Sequence, residues 1–423
     1  MTDSFHPAWN ELLAWLDIPQ PPVVPRSADR AGYALVANEP IKANRPLFTI
    51  EASKVLNVKT LTPLYPGHAL SATQLISLHL LLHHPDKGAS PDPKFGPYIA
   101  TLPRDFAFHP LTWAVNESEL VEYLPPSHAD ALKALLARYY TDRVAVLGYL
   151  ERSQQLEDDL DVSKYLWSWL CVNTRCIFHH LKKTRSDPDN LSLVPILDFA
   201  NHSSILPSMM PSAASAHTKP QHGGIGSFTL FGPADVGTKA NEELFLRYGA
   251  HCNRVLFIEY GFILPEAEQP SREIEVDDLV EILFRDRGDA GTWAKEVLDE
   301  NNYWKDYTLH EAYPSYRLIT ALRLYAMLPG SGGIPQDRDT FLASWNAVVS
   351  GQQDCLSAEN ENLWIRVLDD EICRTVITRA EMGIARLDDK LGDDVNTVRA
   401  LWKEELQIAE SIRIKITSGE SFH

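Results

Sequence analysis

Two apolar stretches, far apart in the chain, each stop abruptly at a polar cluster, and that pairing limits what the chain can fold into. Val194-Pro-Ile-Leu-Asp-Phe-Ala ends at Asn201-His202-Ser203. Leu244-Phe-Leu ends at Arg247-Tyr248-Gly249, followed by Asn253 and then Glu259-Tyr260-Gly261-Phe262. Read as buried strands, they deliver a carboxylate (Asp198), an amide, an imidazole and two tyrosines to strand ends, where the sheet fixes them and a ligand can reach them. A β-rich unit carrying chemistry follows, and the rest of the chain is read around it.

Upstream, Trp9, Leu12, Leu13 and Leu16 stand at helical spacing, and Pro19, Pro21, Pro22 and Pro25 stop that helix. Tyr33–Ala37 and Pro46–Ile50 read as short strands around the turn residues of 38–45, which predicts a hairpin between them. From Ser71 the pattern becomes a buried helix capped by that serine, and helical spacing returns over His128–Glu151 and Val162–Phe178, with Pro97–Pro103 extended or turning between them. A helical block over about 63–170 therefore interrupts the β-rich unit. The Pro- and Gly-rich stretch Ser204–Ser227 reads as a loop. Its Gly223-Gly-Ile-Gly226 has neither the strand-turn-helix setting nor the Lys-Ser/Thr of a phosphate cradle. Beyond Pro270 the pattern is helical to the end: Asp277–Phe284, Ala294–Glu300, Tyr316–Met327, Thr340–Val349, Ala358–Leu391 and Asp394–Ile414, with the clearest break at Pro329–Pro335. With 423 residues, two domains are expected, the second all-α and beginning near Ser271.

Charge narrows the partners. A formal net charge of −18 argues against nucleic acid, which needs a basic face, and favours a protein partner with a basic segment. Five cysteines without framework spacing imply a reducing compartment and no disulfide scaffold. Cys171 and Cys176 find no second pair to complete a zinc site, so no metal is expected. The first residues lack a signal-peptide pattern and no apolar run is long enough to span a bilayer, so the expectation is a cytoplasmic or nuclear protein with no membrane partner.

Several motifs in chain order resemble those of the SET-domain methyltransferases, specifically the branch similar to the Rubisco large-subunit lysine methyltransferase. They are Gly32-Tyr-Ala, Tyr98-Ile-Ala-Thr-Leu-Pro, Asn173-Thr-Arg-Cys, Asp198-Phe-Ala-Asn-His-Ser, Tyr248-Gly with Asn253, and Tyr260-Gly-Phe. The resemblance implies an α+β fold: a β-rich, pseudoknotted SET core split over about 21–62 and 171–270, the inserted helical block over 63–170, and a helical substrate-binding domain over 271–423. It implies S-adenosyl-L-methionine as cofactor and protein-lysine N-methylation of a non-histone protein, with a ribosomal or translation component as the analogy.

By the same resemblance Tyr248 is the catalytic tyrosine. Gly32, Tyr33, Ala34, Arg175, Asn201, His202, Tyr248 and Phe262 hold the cofactor, and Arg175, Ile177, Asp198 and Tyr260 line or support the substrate channel. Such chemistry needs a neutral amine rather than a strong base. A free lysine has a pKa of about 10.4, and an apolar channel beside a sulfonium lowers it by desolvation and like-charge repulsion. Three positions depart from the family pattern: Ala34 replaces the second glycine of Gly-x-Gly, Asn241 replaces the turn glycine before Glu-Glu-Leu, and Ile177 stands where an aromatic wall is common. A wider channel and weaker cofactor affinity are the corresponding expectations. Two alternatives stand beside lysine methylation. One is histidine methylation, known in a relative in which tryptophan precedes the Asp-x-x-Asn-His aspartate, and disfavoured because this chain has Leu197 there. The other is a catalytically weak SET-like binding module that recruits a basic partner.

Overall fold

The computed structural model describes residues 6–28, 32–86, 88–153, 161–214, 226–330, 333–420 and 422. The chain divides into two compact units. The first runs to Asn116 and takes in Ala134–His251 and Glu259–Gly261; the second takes Glu117–Lys133, Cys252–Ile258 and Phe262 onward.

In the first unit, strand β1 (Val23–Ala28) pairs antiparallel with β2 (Gly32–Ala37), in register from Val23 opposite Ala37 to Ala28 opposite Gly32. The hairpin expected between Tyr33–Ala37 and Pro46–Ile50 does not form. Strand β3 (Pro46–Ile50) instead pairs with β8 (Phe228–Phe231), where Thr49 and Thr229 join hydroxyls at 2.9 Å across the ladder. Turn residues between two strands show that the chain reverses, not which neighbour each strand takes. β8 also pairs with β7 (Met210–Ala213), so the stretch read as a loop contributes a strand, while Gly223 and Gly224 lie outside the described residues. A third sheet joins β4 (Leu56–Asn57), β6 (Leu191–Leu193) and β5 (Ile177–Phe178) in that lateral order 4-6-5.

The helix predicted from Ser71 spans Ala72–Leu82. Ser71 accepts from the Gln74 backbone and Gln74 returns the bond to Ser71, a capping box that satisfies two otherwise orphaned donors. Eight of its eleven residues are buried, as apolar residues nearly all round require. Pro97–Pro103 was expected to be extended or turning; Gly96–Ile99 in fact forms one helical turn started by Pro97, which is at home in a first turn.

The second unit is not all-α. Two three-residue strands, β9 (Glu273–Glu275) and β10 (Thr308–His310), pair antiparallel; runs this short carry too little alternation to register in the sequence. Its helices include Tyr316–Met327 and Asp393–Ser418, and the stretch read as one helix over 358–391 is interrupted by a π turn at Leu368–Cys373. Trp345 and Trp364, each 1% exposed, centre its core. Among the described residues no helix is long and apolar enough to cross a membrane.

Candidate active site

The segment that precedes Tyr248 is held on two sides within the first unit. Glu243 bridges to Val36 of β2, and the Leu244 amide donates to the Leu35 carbonyl at 2.8 Å. On its other side, parallel bridges join Leu246 to His202 and Phe245 to Ser208, with the Leu246 amide donating to the Asn201 carbonyl at 2.8 Å. Single bridges rather than full strands therefore bring the two polar clusters together. The preceding turn needs a left-handed residue at 241, and Asn241 takes φ 68° there, a conformation asparagine tolerates.

His202 is fixed as a neutral imidazole. The Tyr248 amide donates to its Nδ1 at 3.1 Å, so the proton sits on Nε2, which donates to the Ser204 hydroxyl at 2.9 Å. Burial lowers its pKa and holds the ring in that form. The His202 ring lies 5.1 Å from the Tyr248 ring, and Tyr260 lies 5.0 Å from Tyr248. The Tyr248 phenol donates to the Ala200 carbonyl at 2.9 Å. Burial pushes its pKa up to about 12, so the hydroxyl stays protonated across the physiological range. At Gly249 a Cβ would meet the His251 ring at 2.2 Å, so a side chain there would require that ring to move.

Beside the tyrosine, Leu197–Phe199 forms a single 3-10 turn, entered through the buried Ile196 at φ 68°. A β-branched residue in this region is strained, and such strain persists only where the surroundings over-determine it. The turn points Asp198 into a largely apolar setting. Burial raises its pKa to about 6, with Arg175 and the phenol of Tyr98 pulling the other way, and neither carboxylate oxygen has a well-aligned hydrogen-bond partner. Arg175, at the end of helix Tyr165–Arg175, donates to the main-chain carbonyl of Asp198.

These residues share a cavity of about 640 Å³, whose lining includes Arg175, Ile177, Asp198, Ala200, Tyr248 and Tyr260. Of the residues singled out in the sequence, Arg175, Ile177, Asp198, Tyr248 and Tyr260 line it together, and His202 packs directly behind Tyr248. Asn201 is anchored by donating to Glu243 at 2.8 Å. Gly32 (φ 79°), Tyr33 and Ala34 lie on β2 outside this lining, with the Tyr33 ring 5.9 Å from that of Phe199. Phe262 belongs to the second unit. Asn253, grouped with the tyrosine in the sequence, has a structural position in that unit: its side chain bonds both the amide and the carbonyl of Leu264, as well as Glu404.

Sequence reasoning missed Glu243, Ser204 and Tyr98 as site residues. Glu243 acts through a partner distant in sequence, Tyr98 by burial beside Asp198, and Ser204 through the orientation of the nearby His202; only Glu243, a carboxylate beside an apolar run, carried a local sign. The cavity as a whole offers a buried carboxylate short of partners, a neutral imidazole and a protonated phenol between apolar walls. Such a setting suits a ligand with a cationic head.

No family profile matches the chain. It is 27% identical over 300 residues to the ribosomal lysine N-methyltransferase set11 of Schizosaccharomyces pombe, covering 71% of this chain and 69% of that protein. It is 24% identical over 412 residues to the SET domain-containing protein 4 of Homo sapiens, covering 93% and 85%. Among solved structures, Rubisco LSMT bound to sinefungin and monomethyllysine superposes with a TM-score of 0.63 at 16% identity, covering 100% of this chain and 95% of that one.

Proposed function

We propose that this chain, built on the SET-domain fold of the Rubisco large-subunit methyltransferase, is an S-adenosylmethionine-dependent protein-lysine N-methyltransferase acting on a non-histone protein. The observation that carries the reading is the shared cavity of Arg175, Asp198, Tyr248 and Tyr260, with His202 locked behind the tyrosine. The cofactor fits the residues present. The carboxylate of Asp198, buried and short of hydrogen bonds, is a ready counter-ion for a cationic group, and the cavity volume lies within the range of small-molecule sites.

In this reading Arg175, Asn201, His202 and the Gly32–Ala34 segment of β2 hold the cofactor, which when bound supplies an electrophilic methyl group. Ile177, Asp198 and Tyr260 form the lysine side of the site. Tyr248 positions rather than deprotonates: a phenol whose pKa is pushed up to about 12 is not a base at neutral pH. Fixed by the Ala200 carbonyl and sandwiched near His202 and Tyr260, it presents one hydroxyl in one orientation. The substrate amine loses its proton because desolvation in the cavity disfavours the ammonium form. The helical second unit is the candidate platform for the protein substrate, with a basic segment the expected complement to the acidic chain.

Incubating the protein with isotopically methyl-labelled cofactor and a cell extract, followed by amino-acid analysis of the labelled protein, tests the assignment. Methyl-lysine is expected. 3-Methylhistidine as the sole product would sink the lysine reading, and no cofactor binding by calorimetry at millimolar concentration would sink the enzyme reading.

A further inference from the structure

A second cluster, away from the tyrosine cavity, consists of His79, His83 and Asp92. His79 and His83 stand four residues apart at the end of helix Ala72–Leu82, a spacing that puts both imidazoles on one face. Asp92 comes from the following loop. The three can offer one ligand atom each within 4.8 Å of one another. The His79 and Asp92 side chains are 1% and 2% exposed, and that of His83 is 24% exposed.

His79 and Asp92 are each tied down through the atom that faces away from the cluster, and His83 is held by the nitrogen that faces it. The Tyr65 hydroxyl meets His79 Nδ1 at 2.7 Å, and His83 Nδ1 donates to the His79 carbonyl at 2.8 Å. Asp92 Oδ1 accepts from the amides of Lys94 and Phe95. His79 Nε2 and Asp92 Oδ2 are left for the centre, and His83 presents Nδ1 toward the same carboxylate oxygen. Orienting partners of this kind, a hydroxyl and main-chain amides, are what metal-bound histidines and carboxylates use to hold their rings and oxygens in place. Among the described residues no lysine or arginine pairs with Asp92 Oδ2; its only partners are the two imidazoles, at 2.5 Å to His79 and 3.9 Å to His83. A cavity of about 630 Å³ opens onto the cluster.

We propose that His79, His83 and Asp92 bind a divalent transition metal of the zinc class, with a fourth coordination position toward this cavity. Two imidazoles and one carboxylate are a borderline-soft donor set suited to zinc and unsuited to magnesium or calcium. Ligands at about 2.0–2.1 Å around a tetrahedral ion stand roughly 3.3 Å apart, so uptake requires His79 and Asp92 to separate by less than ~1 Å and His83 Nδ1 to exchange the His79 carbonyl for the metal. The proposal does not depend on the methyltransferase reading. It also revises the expectation of no metal, which followed from the cysteines and left His79-x-x-x-His83 in an apolar helix unexamined.

The full chain, stripped with chelator, is titrated with Zn²⁺ by calorimetry and with Co²⁺ by visible absorption. One equivalent bound, a tetrahedral Co²⁺ band and a melting temperature raised by several degrees at about 100-fold excess over the Kd are expected. His83→Gln keeps the Tyr65–His79–Asp92 contacts, so the metal-free variant should melt within about two degrees of the parent while its affinity falls by roughly 100-fold or more. Asp92→Asn serves as a second variant with the same expected loss. Binding that is absent in the parent, or unchanged in both variants because the five cysteines or surface groups take the metal, overturns the site.

Discussion

Tyr248 gathers its constraints from four directions: an amide bond to His202, a hydroxyl bond to Ala200, and rings on either side at 5.1 and 5.0 Å. Replacing it with phenylalanine removes one oxygen and leaves the amide and ring contacts in place. Tyr248→Phe should therefore keep its melting temperature and bind cofactor within a few-fold of the parent, while kcat falls by about 10²-fold or more, as for other single positioned polar groups. Calorimetry and initial rates check the two halves separately. Asp198 gives a prediction in pH. Its folded carboxyl titrates near 6 instead of 3.8, so the folded state retains this proton where the unfolded chain has lost it. Its contribution to stability is then full below about pH 4 and lost as pH rises through about 6, leaving a penalty on the order of 2–3 kcal/mol at neutral pH. Asp198→Asn should flatten that part of the pH–stability curve and unfold at higher denaturant than the parent at pH 7.5. Saturating cofactor should narrow the gap, since a cationic group beside the carboxylate lowers its pKa.

At the scale of elements, the turn at Asn241 decides whether the tyrosine segment meets β2, because the Asn241 amide donates to the Ala37 carbonyl at 2.8 Å. Asn241→Val places a β-branched residue at φ 68° and should cost about 1–2 kcal/mol in chemical denaturation, whereas Asn241→Gly should be neutral within a few tenths. This turn was legible in the sequence, as was the Ser71 cap, because both depend on residues within a few positions of each other. The same holds for Tyr248, His202 and Asp198, which stand where apolar runs break. What could not be read was pairing across distance. β3 takes its partner from β8, on the far side of the inserted helices, and nothing in Pro46–Ile50 selects Phe228–Phe231 over the nearer β2. Glu243 failed for the same reason, since it matters only because Asn201 lies opposite it, whereas Ser204, two residues from His202, was missed because its role depends on which way the imidazole turns. The short strands of the second unit and the π turn at Leu368–Cys373 fell below the length at which a period can be counted.

The molecule as a whole carries 57 acidic and 39 basic side chains, which leaves the net −18. A field of that sign acts on a protein substrate before any contact forms, by raising the encounter rate of basic segments and lowering that of acidic ones. It acts through solvent, so added salt weakens it: the screening length is about 10 Å at 0.1 M and about 3 Å at 1 M. The methyl-transfer step of the proposed function, in contrast, turns on groups beside the buried carboxylate of Asp198, where salt screens less than at the surface. Raising sodium chloride from 50 to 500 mM should therefore reduce kcat/KM for a basic protein substrate by roughly 10-fold or more while kcat at saturation changes by less than about two-fold. A short neutral lysine peptide should show little dependence on salt. Steady-state methylation assays with both substrates separate the outcomes. A kcat that falls with salt as steeply as kcat/KM would place the electrostatic effect within the chemical step, and equal salt dependence for both peptides would remove the acidic surface from substrate selection.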